Sequence, residues 1–539
     1  MRKFLNDPLQ VVPQMLEGLC DLAPGLALLA EARVVLRADL PAPAQRQVAV
    51  ISGGGSGHEP AHAGYVGPGL LHAAVAGDVF TSPPTQSVLA AIRAAAGPAG
   101  AVLVVKNYTG DRLNFGLAAE RARAFGHKVS MVIVDDDVAL PDLPQARGVA
   151  GTLFVHKIAG ALAEAGADLD TVTAAARKVI AGAASIGMSL DTCTVPGSPK
   201  EQRIDPGKAE LGLGIHGEAG VEQVDFATAR AAMAMVVDRL SRHVAPGNHV
   251  ALLNNLGGTT PLEMSVLAEE LARSALRDRV KWLVGPAAMM TSLDMHGFSV
   301  SILPVEADQV AALAAPVGPH AWPGLAALGE VTVRPLPDGL TPIQPLPSAH
   351  PARRALIEDC CRALIAAEAD LNALDAKSGD GDTGSTLAGA ARALIAALDR
   401  LPLADPTQLY RAIGTELSQT MGGSSGVLLA IFFAAAGDAS AGGKDLIGAM
   451  QAGLERVMQV GGAKPGDRTM IDALAPALQA LPGGVAAASG AARSGADRTA
   501  QMTRAKAGRA SYLSQDKLAG HKDPGAEGVA RLFQALASR

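Results

Sequence analysis

At 539 residues, and roughly 100 to 200 residues per domain, the chain divides into about three domains, and one core cannot serve it. Apolar residues make up 49% and charged residues 18%, which excludes a disordered chain. With 3% aromatics and a net charge of −6, neither a base-stacking platform nor an electrostatic grip on phosphodiesters is expected, so nucleic acid is set aside as a partner.

The N-terminal MRKFLNDPLQVVPQ is interrupted by Asn6, Asp7 and Pro8, and carries no continuous apolar run of a signal peptide. The longest apolar stretch, Val427 to Ala436, falls short of the ~20 residues of a spanning helix and reads as a buried helix. A cytoplasmic protein with no membrane partner is therefore expected. Four cysteines (Cys20, Cys193, Cys360, Cys361) make no disulfide framework or zinc spacing and read as packing residues.

In chain order, near-continuous apolar runs at Gln47 to Ser52, Ala101 to Lys106, Lys128 to Asp135, His249 to Asn254, Lys281 to Val284 and Ser299 to Val305 predict strands buried on both faces. Ala-rich segments between them supply crossover helices, so the region is α/β. A polar, Pro-containing stretch from Asp191 to Asp205 suggests two lobes, 1–190 and 191–334. Residues 335–351 (PLPDGLTPIQPLPSAHP) read as a Pro-rich linker, because proline neither continues a helix nor pairs in a central strand. From 352 to 539 the β-branched runs vanish, and apolar residues recur at helical spacing in six to eight segments, predicting an all-α domain.

The sharpest chemical signal lies in that domain. In LNALDAKSGDGDTGST, Asp375, Asp380 and Asp382 fall within eight residues. Such close carboxylates repel unless a cation neutralises them, and all-oxygen ligands suit Mg2+. Counting from Asp380, the sixth position is Ser385 and the twelfth Ala391, which excludes an EF-hand. Thr383, Gly384, Ser385 and Thr386 then open a helix whose free N–H groups suit an anion, so Mg2+ with a polyphosphate fits; an acidic capped turn is the plain alternative. MGGSSG, with Ser424 and Ser425, forms a second such start. GGAKPGDRTM adds Gly461, Arg468 and Thr469, and a turn at Asp523, Pro524 and Gly525 completes the set.

In the α/β region, SGGGSGHEP follows a strand directly, where open α/β sheets bind small ligands. It carries His58 and Glu59. The strand AVLVVK ends in Lys106, Asn107, Tyr108, Thr109, Gly110 and Asp111, so Asp111 and His58 are placed to meet at adjacent strand ends as an acid/base pair. LGLGIHGEAG matches GxGxxG through Gly212, Gly214 and Gly217. However, the acidic residue some 20 positions on, Asp238, falls inside a predicted helix Val221 to Leu240, so a dinucleotide site is rejected; a P-loop is absent too. His216, flanked by glycines, reads as a base, a ligand or a nucleophile toward a carbonyl, against the plainer reading of a satisfied structural histidine.

At these residues the chain resembles the single-chain, ATP-dependent form of the dihydroxyacetone kinase family. SGGGSGHEPAHAGYVGPGLL, AGDVFTSPP, KNYTGDRLNFG, LGLGIHGE, NNLGG and TSLDMHGFS resemble its substrate-binding domain; LDAKSGDGDTGST, MGGSSG, GDRTM, GRASYL and DPGA resemble its nucleotide-binding domain. The resemblance implies an α/β N-terminal region of two lobes followed by an all-α helical-barrel domain. It implies phosphorylation of dihydroxyacetone by ATP, with the ketose held as a hemiaminal on His216. Gly55, Ser56, Gly57, His58, Lys106 and Asp111 would hold its hydroxyls. Asp111 would be the base, and His58 its hydrogen-bonding partner or proton relay. Asp375, Asp380 and Asp382 would hold two Mg2+ ions. Asp382, Thr383, Gly384, Ser385, Ser424, Ser425, Gly461, Arg468, Thr469, Asp523, Pro524 and Gly525 would line the ATP. A homodimer with exchanged domains is implied as well. The alternatives carried forward are a kinase for erythrulose or glyceraldehyde, cleavage of FAD to a cyclic flavin phosphate, a non-catalytic ketose sensor, and a form fed by a phosphorylated protein.

Overall fold

The computed structural model describes residues 3–140, 146–338 and 345–539. The chain divides into two compact units, Met1–Thr332 and Val333–Arg539.

The first unit holds two sheets. Sheet one comprises β1 (Leu26–Leu29), β2 (Val34–Arg37), β3 (Ala49–Ser56), β4 (Ala73–Val79), β5 (Ala101–Lys106) and β6 (Val129–Val134), in the order β1-β2-β4-β3-β5-β6. β4, β3, β5 and β6 run parallel, and β1 and β2 add an antiparallel edge. All six residues of β5 are buried, because helices cover both faces. On one face Ile51, Leu103 and Val105 pack with Val88, Ile92 and Phe115 of the helices Thr85–Ala95 and Thr109–Ala124. On the other, Val50, Val102 and Val104 pack with Phe154 and Val172 of the helices Thr152–Glu164 and Leu169–Gly182. Each such buried side chain contributes about 1.5–3 kcal/mol. The chain leaves β3 toward β4 and then returns across it to β5, so connections diverge at the carboxyl end of β3 and open a crevice there.

Sheet two comprises β7 (Ala184–Ser189), β8 (Lys208–Leu211), β9 (Glu222–Asp225), β10 (His249–Asn255), β11 (Val280–Ala288), β12 (Gly297–Pro304) and β13 (Leu325–Ala327), in the order β13-β11-β10-β12-β7-β8-β9. Only β10 and β11 pair in parallel. All six sequence-predicted strands lie within β3, β5, β6, β10, β11 and β12 or overlap them. β7 already belongs to sheet two, so that sheet begins before residue 190. The predicted helix Val221 to Leu240 is corrected. Glu222–Asp225 pairs with β8, tied by Lys208 Nζ to Asp225 at 2.6 Å, and the helix Ala229–Ser241 starts only where Thr228 caps it by accepting from Ala231 N.

The second unit contains ten α-helices among the described residues, from Pro351–Ala366 to Pro524–Ala537, and no strand. Of the linker, residues 339–344 lie outside the described residues. One cluster joins Phe432, Leu454, Ile471 and Phe533, and another joins Leu398, Leu409, Ile413 and Leu417. The expectation of a buried helix at Val427 to Ala436 is corrected. The helix Gly423–Ala441 packs between Pro406–Thr420 and Leu446–Gly461, but Val427 is exposed and Leu428, Leu429 and Ile431 are half-buried. Its apolar residues run round the whole helix, whereas these neighbours cover one side of it. By length and composition it is long and apolar enough to cross a membrane, with 22% of its apolar window buried. Cys193 and Cys361 are buried and Cys20 and Cys360 half-buried, all as free thiols.

Candidate active site

The carboxyl ends of β3 and β5 meet the loop between β8 and β9. At the end of β3, Gly55 lies so close to the next segment that a Cβ there would stand 2.7 Å from Thr81 N; only glycine fits. Ser56 donates its hydroxyl to Gly77 O at 2.8 Å and so ties β3 to β4. Gly57, at φ 102°, turns the chain, and its N–H donates to both carboxylate oxygens of Glu59.

His58 follows, fully buried. Its Nδ1 faces the carbonyl of Thr291 at 2.8 Å and can only donate to it, which leaves the lone pair on Nε2. That Nε2 is buried without a hydrogen-bond partner. Burial, with the Lys106 ammonium nearby, holds the ring well below the ordinary histidine range, so it is neutral.

His216 projects from the β8–β9 loop. Its ring stands edge-on to His58 at 4.7 Å between centroids and to Tyr108 at 4.2 Å, and Phe80 closes the cluster at 5.5 Å from both imidazoles. His216 N–H donates to Glu218 Oε2 at 2.8 Å, and the ring's Nδ1 lies 3.5 Å from Glu218 Oε1. Burial lowers its pKa, and Glu218 pulls it partly back. For Glu218 burial acts upward, but the ring and backbone N–H of His216 outweigh it and hold the carboxyl at about 2. Neutral His216 with its Nδ1–H turned to Glu218 presents the Nε2 lone pair.

Lys106 ends β5 fully buried, its Nζ without a hydrogen-bond partner; burial lowers its pKa, against the pull of Asp111, Glu218 and Glu59. Asp111 lies in the first turn of Thr109–Ala124, where a helix N-terminus favours a carboxylate, and accepts from the Ser82 hydroxyl. Lys106 Nζ and Asp111 Oδ2 both come within 3.4 Å of where a Cβ on Gly54 would stand, so the two groups converge over β3. The expected direct pairing of Asp111 with His58 does not form, because His58 Nδ1 is committed to Thr291 and Asp111 to Ser82. Instead His58 pairs with His216. Phe80, Ser82, Tyr108 and Glu218 were not singled out from sequence as site residues; Glu218, two positions beyond His216, had the legible signal.

In the helical unit, Asp375 closes the helix Glu368–Asp375, and Asp382 immediately precedes Thr383–Ala397. Buried Asp375 accepts from Asp382 N at 2.9 Å and Thr383 N at 3.2 Å. Oxygens of Asp375, Asp380 and Asp382 all lie within 4.8 Å of one another, a donor set that suits a hard divalent cation. Ser385 donates its backbone N–H to Asn372 at 3.0 Å. Asp523 caps Pro524–Ala537 through Ala526 N at 2.8 Å, and burial pushes its carboxyl up to about 6, with Asp472 and Asp375 adding to the rise and Arg468 opposing it. Arg468, at φ 62° and buried, sends one Nη to His521 O at 2.8 Å while Nε and the other Nη have no hydrogen-bond partner. Thr469 N donates to Asp472, and Gly525 packs on Met470. Thus Asp375, Asp380, Asp382, Thr383, Arg468, Thr469, Asp523, Pro524 and Gly525 gather at neighbouring helix ends. Ser424 and Ser425 open the exposed start of Gly423–Ala441, and Gly461 packs on Leu428 of that helix.

Comparison with known proteins agrees across the chain. Residues 17–321 match the Dak1 domain and residues 377–538 the DAK2 domain. The chain is 46% identical to the dihydroxyacetone kinase of Citrobacter freundii over 546 residues, covering 99% of this chain and 98% of that one. It is 41% identical to the human triokinase/FMN cyclase, again over 99% and 98% of the two chains. The crystal structure of the C. freundii dihydroxyacetone kinase superposes with a TM-score of 0.69 at 44% identity, over 100% of this chain and 99% of that one. Its complex with AMP-PNP and Mg2+ gives a TM-score of 0.68, with the same identity and coverage. An α/β unit with a histidine-lined crevice and a helical unit with a carboxylate cluster thus occur together along a chain that belongs to the dihydroxyacetone kinase family.

Proposed function

We propose that this protein phosphorylates dihydroxyacetone at the expense of ATP, yielding dihydroxyacetone phosphate and ADP. The observation that carries the reading is the pairing of His216 and His58 over buried Lys106 and Asp111. That group matches a small carbonyl compound bearing hydroxyls.

His216 Nε2 adds to the ketone carbon and forms a hemiaminal, with Glu218 fixing the ring through Nδ1. Gly55, Ser56, Gly57, His58 and Lys106 shape and line the hydroxyl sites. Asp111 takes the proton of the attacking hydroxyl, and His58, with its free Nε2 lone pair, relays it. Covalent anchoring orients the terminal hydroxyl and rejects glycerol, which has no carbonyl. Asp375, Asp380 and Asp382 would hold two Mg2+ ions, which supply charge neutralisation on the nucleotide phosphates. Thr383, Gly384 and Ser385 offer helix-start N–H groups to those phosphates; Ser424, Ser425, Gly461, Arg468, Thr469, Asp523, Pro524 and Gly525 border the nucleotide. We place the boundary between the lobes just before β7, which pairs in sheet two, rather than at 190/191, and assign the linker to 335–351, followed by the nucleotide domain at 352–539. The working form is a cytoplasmic homodimer, with the domains exchanged between subunits.

The test is ADP release with Mg-ATP, comparing dihydroxyacetone, erythrulose, glyceraldehyde and glycerol. Release with dihydroxyacetone and none with glycerol is expected; equal release with glycerol would overturn the carbonyl filter. The likeness to proteins called triokinase/FMN cyclase favours a second reading at the same nucleotide site: glyceraldehyde as an acceptor and cleavage of FAD.

A further inference from the structure

The NNLGG motif plays no part in the chemistry above. Its Asn254 is the next-to-last residue of β10, and the side chain is wholly buried. The carboxamide makes all four hydrogen bonds open to it. Oδ1 accepts from Met289 N at 3.0 Å and Met290 N at 2.9 Å, and Nδ2 donates to Met290 O at 2.7 Å and Ser299 Oγ at 3.2 Å. Backbone N–H groups only donate and a carbonyl only accepts, so the amide has one orientation. Three of the four bonds fall on the connection between β11 and β12, and they take Met290 by both its N–H and its C=O. An apolar side chain would fill this space without the desolvation cost of an amide; what the amide adds is a fixed place for one peptide group.

Thr291 follows directly, and there the connection meets sheet one. Thr291 N donates to His58 O at 3.2 Å and Leu293 N to Gly57 O at 2.8 Å, while Thr291 O accepts the His58 Nδ1–H at 2.8 Å. The Tyr65 hydroxyl donates to Met289 O at 2.8 Å from the same side. Ser292 N donates to Leu256 O at 2.9 Å, and a Cβ on Gly257 would stand 1.9 Å from Leu293 O, so glycine lets the motif close on the connection. Five residues, 289–293, thus carry the position of β10 in sheet two to the imidazole in the crevice.

We propose that Asn254 is a positioning residue for His58: by gripping the Met290 peptide it sets the Thr291 carbonyl against the ring, so that Nδ1 keeps the proton and Nε2 the lone pair. This rests on the reading of His58 as the relay for the substrate's proton. With the carbonyl displaced, the neutral ring takes the Nε2–H tautomer as readily, and that form offers the substrate no lone pair. The loss falls on phosphoryl transfer, because His216, which captures the ketose, is oriented separately by Glu218.

The experiment uses the full chain labelled with 15N-histidine, whose Nδ1 and Nε2 resonances report the tautomer, the His58 signals being assigned by their loss in His58→Asn. Wild type is expected to carry the proton on Nδ1. In Asn254→Leu, of nearly the same shape, the Nε2–H form should appear and kcat should fall about ten- to a hundredfold, part of what a positioned acid or base supplies. Capture of dihydroxyacetone, followed by the 13C resonance of its labelled C2, and Mg-ATP binding should stay unchanged. Ser299→Ala removes the fourth bond and leaves the grip on Met290, so it should match wild type throughout. A wild-type ring protonated on Nε2 would overturn the proposal, as would an Asn254→Leu chain that keeps His58 in the Nδ1–H form. So would a Ser299→Ala chain that behaves like Asn254→Leu, since general loosening around the amide gives that result. Asn254→Ser, which leaves room for water at the freed groups, is the second variant, and the same readings decide if Asn254→Leu does not fold. Wild-type turnover in His58→Asn would instead refute the relay, independently of Asn254.

Discussion

The imidazoles of His58 and His216 face each other edge-on, 4.7 Å between centroids, although the two residues lie on separate loops and are oriented by different partners, a backbone carbonyl and a carboxylate. Both rings are neutral, so two unprotonated Nε2 atoms are available to one small ligand. Replacing His216 by alanine removes the carbonyl filter while His58 stays oriented by Thr291. The Michaelis constant for dihydroxyacetone is expected to rise about tenfold or more, at least 1.4 kcal/mol, and discrimination against glycerol to collapse. Steady-state kinetics with both acceptors check this; retained selectivity would remove His216 from the covalent role.

Ketose capture should persist below the ordinary histidine range. Burial depresses the folded pKa of His216, so the ring keeps its lone pair at pH values where a free imidazole is largely charged, and capture is lost only as pH falls through that lowered pKa. Calorimetric titration of dihydroxyacetone between about pH 5 and 8 reads the limb. A midpoint above 6.5 would contradict the environment described.

Asp380→Asn removes one charge from the carboxylate set without touching the α/β unit. Mg-ATP affinity is expected to fall on the order of ten- to a hundredfold, the range seen when even a supporting group of a metal site is lost. Dihydroxyacetone binding should be unchanged. Nucleotide titration at limiting Mg2+ decides it, and unaltered affinity would exclude Asp380 from the metal site.

Separate hydrophobic cores make the two units separable in stability. Phe115 is fully buried between its helix and sheet one, so Phe115→Ala should cost about 3–5 kcal/mol in the first unit. Scanning calorimetry should show that unit's transition moving down while the transition of the helical unit, reported by its Mg-ATP shift, stays in place. A common displacement of both would indicate one cooperative block.

Much of this was legible in the sequence, because the strands carrying the site are buried on both faces and announce themselves as runs such as AVLVVK. β9 was not legible. Glu222–Asp225 is a largely exposed strip whose identity comes from pairing with β8, a tertiary cause that local propensity does not report. The apolar helix Gly423–Ala441 misled for the opposite reason: hydrophobicity all round it says nothing of how many neighbours cover it. Lys106, Asp111, His58 and His216 were visible because glycine-rich turns marked their strand ends. Ser82 was not, since it acts through Asp111, far along the chain.

The acceptor for the His58 Nδ1–H is a main-chain oxygen, that of Thr291. No replacement of the threonine side chain removes a peptide carbonyl, so the tautomer of His58 is shielded from single-codon change at position 291. Replacing the threonine would instead loosen the His58 loop from the other side, through the hydroxyl that donates to Glu59 O at 3.0 Å. Substitutions that move the β11–β12 connection would act on it, and errors in that distant loop would surface as misprotonation in the crevice rather than as unfolding.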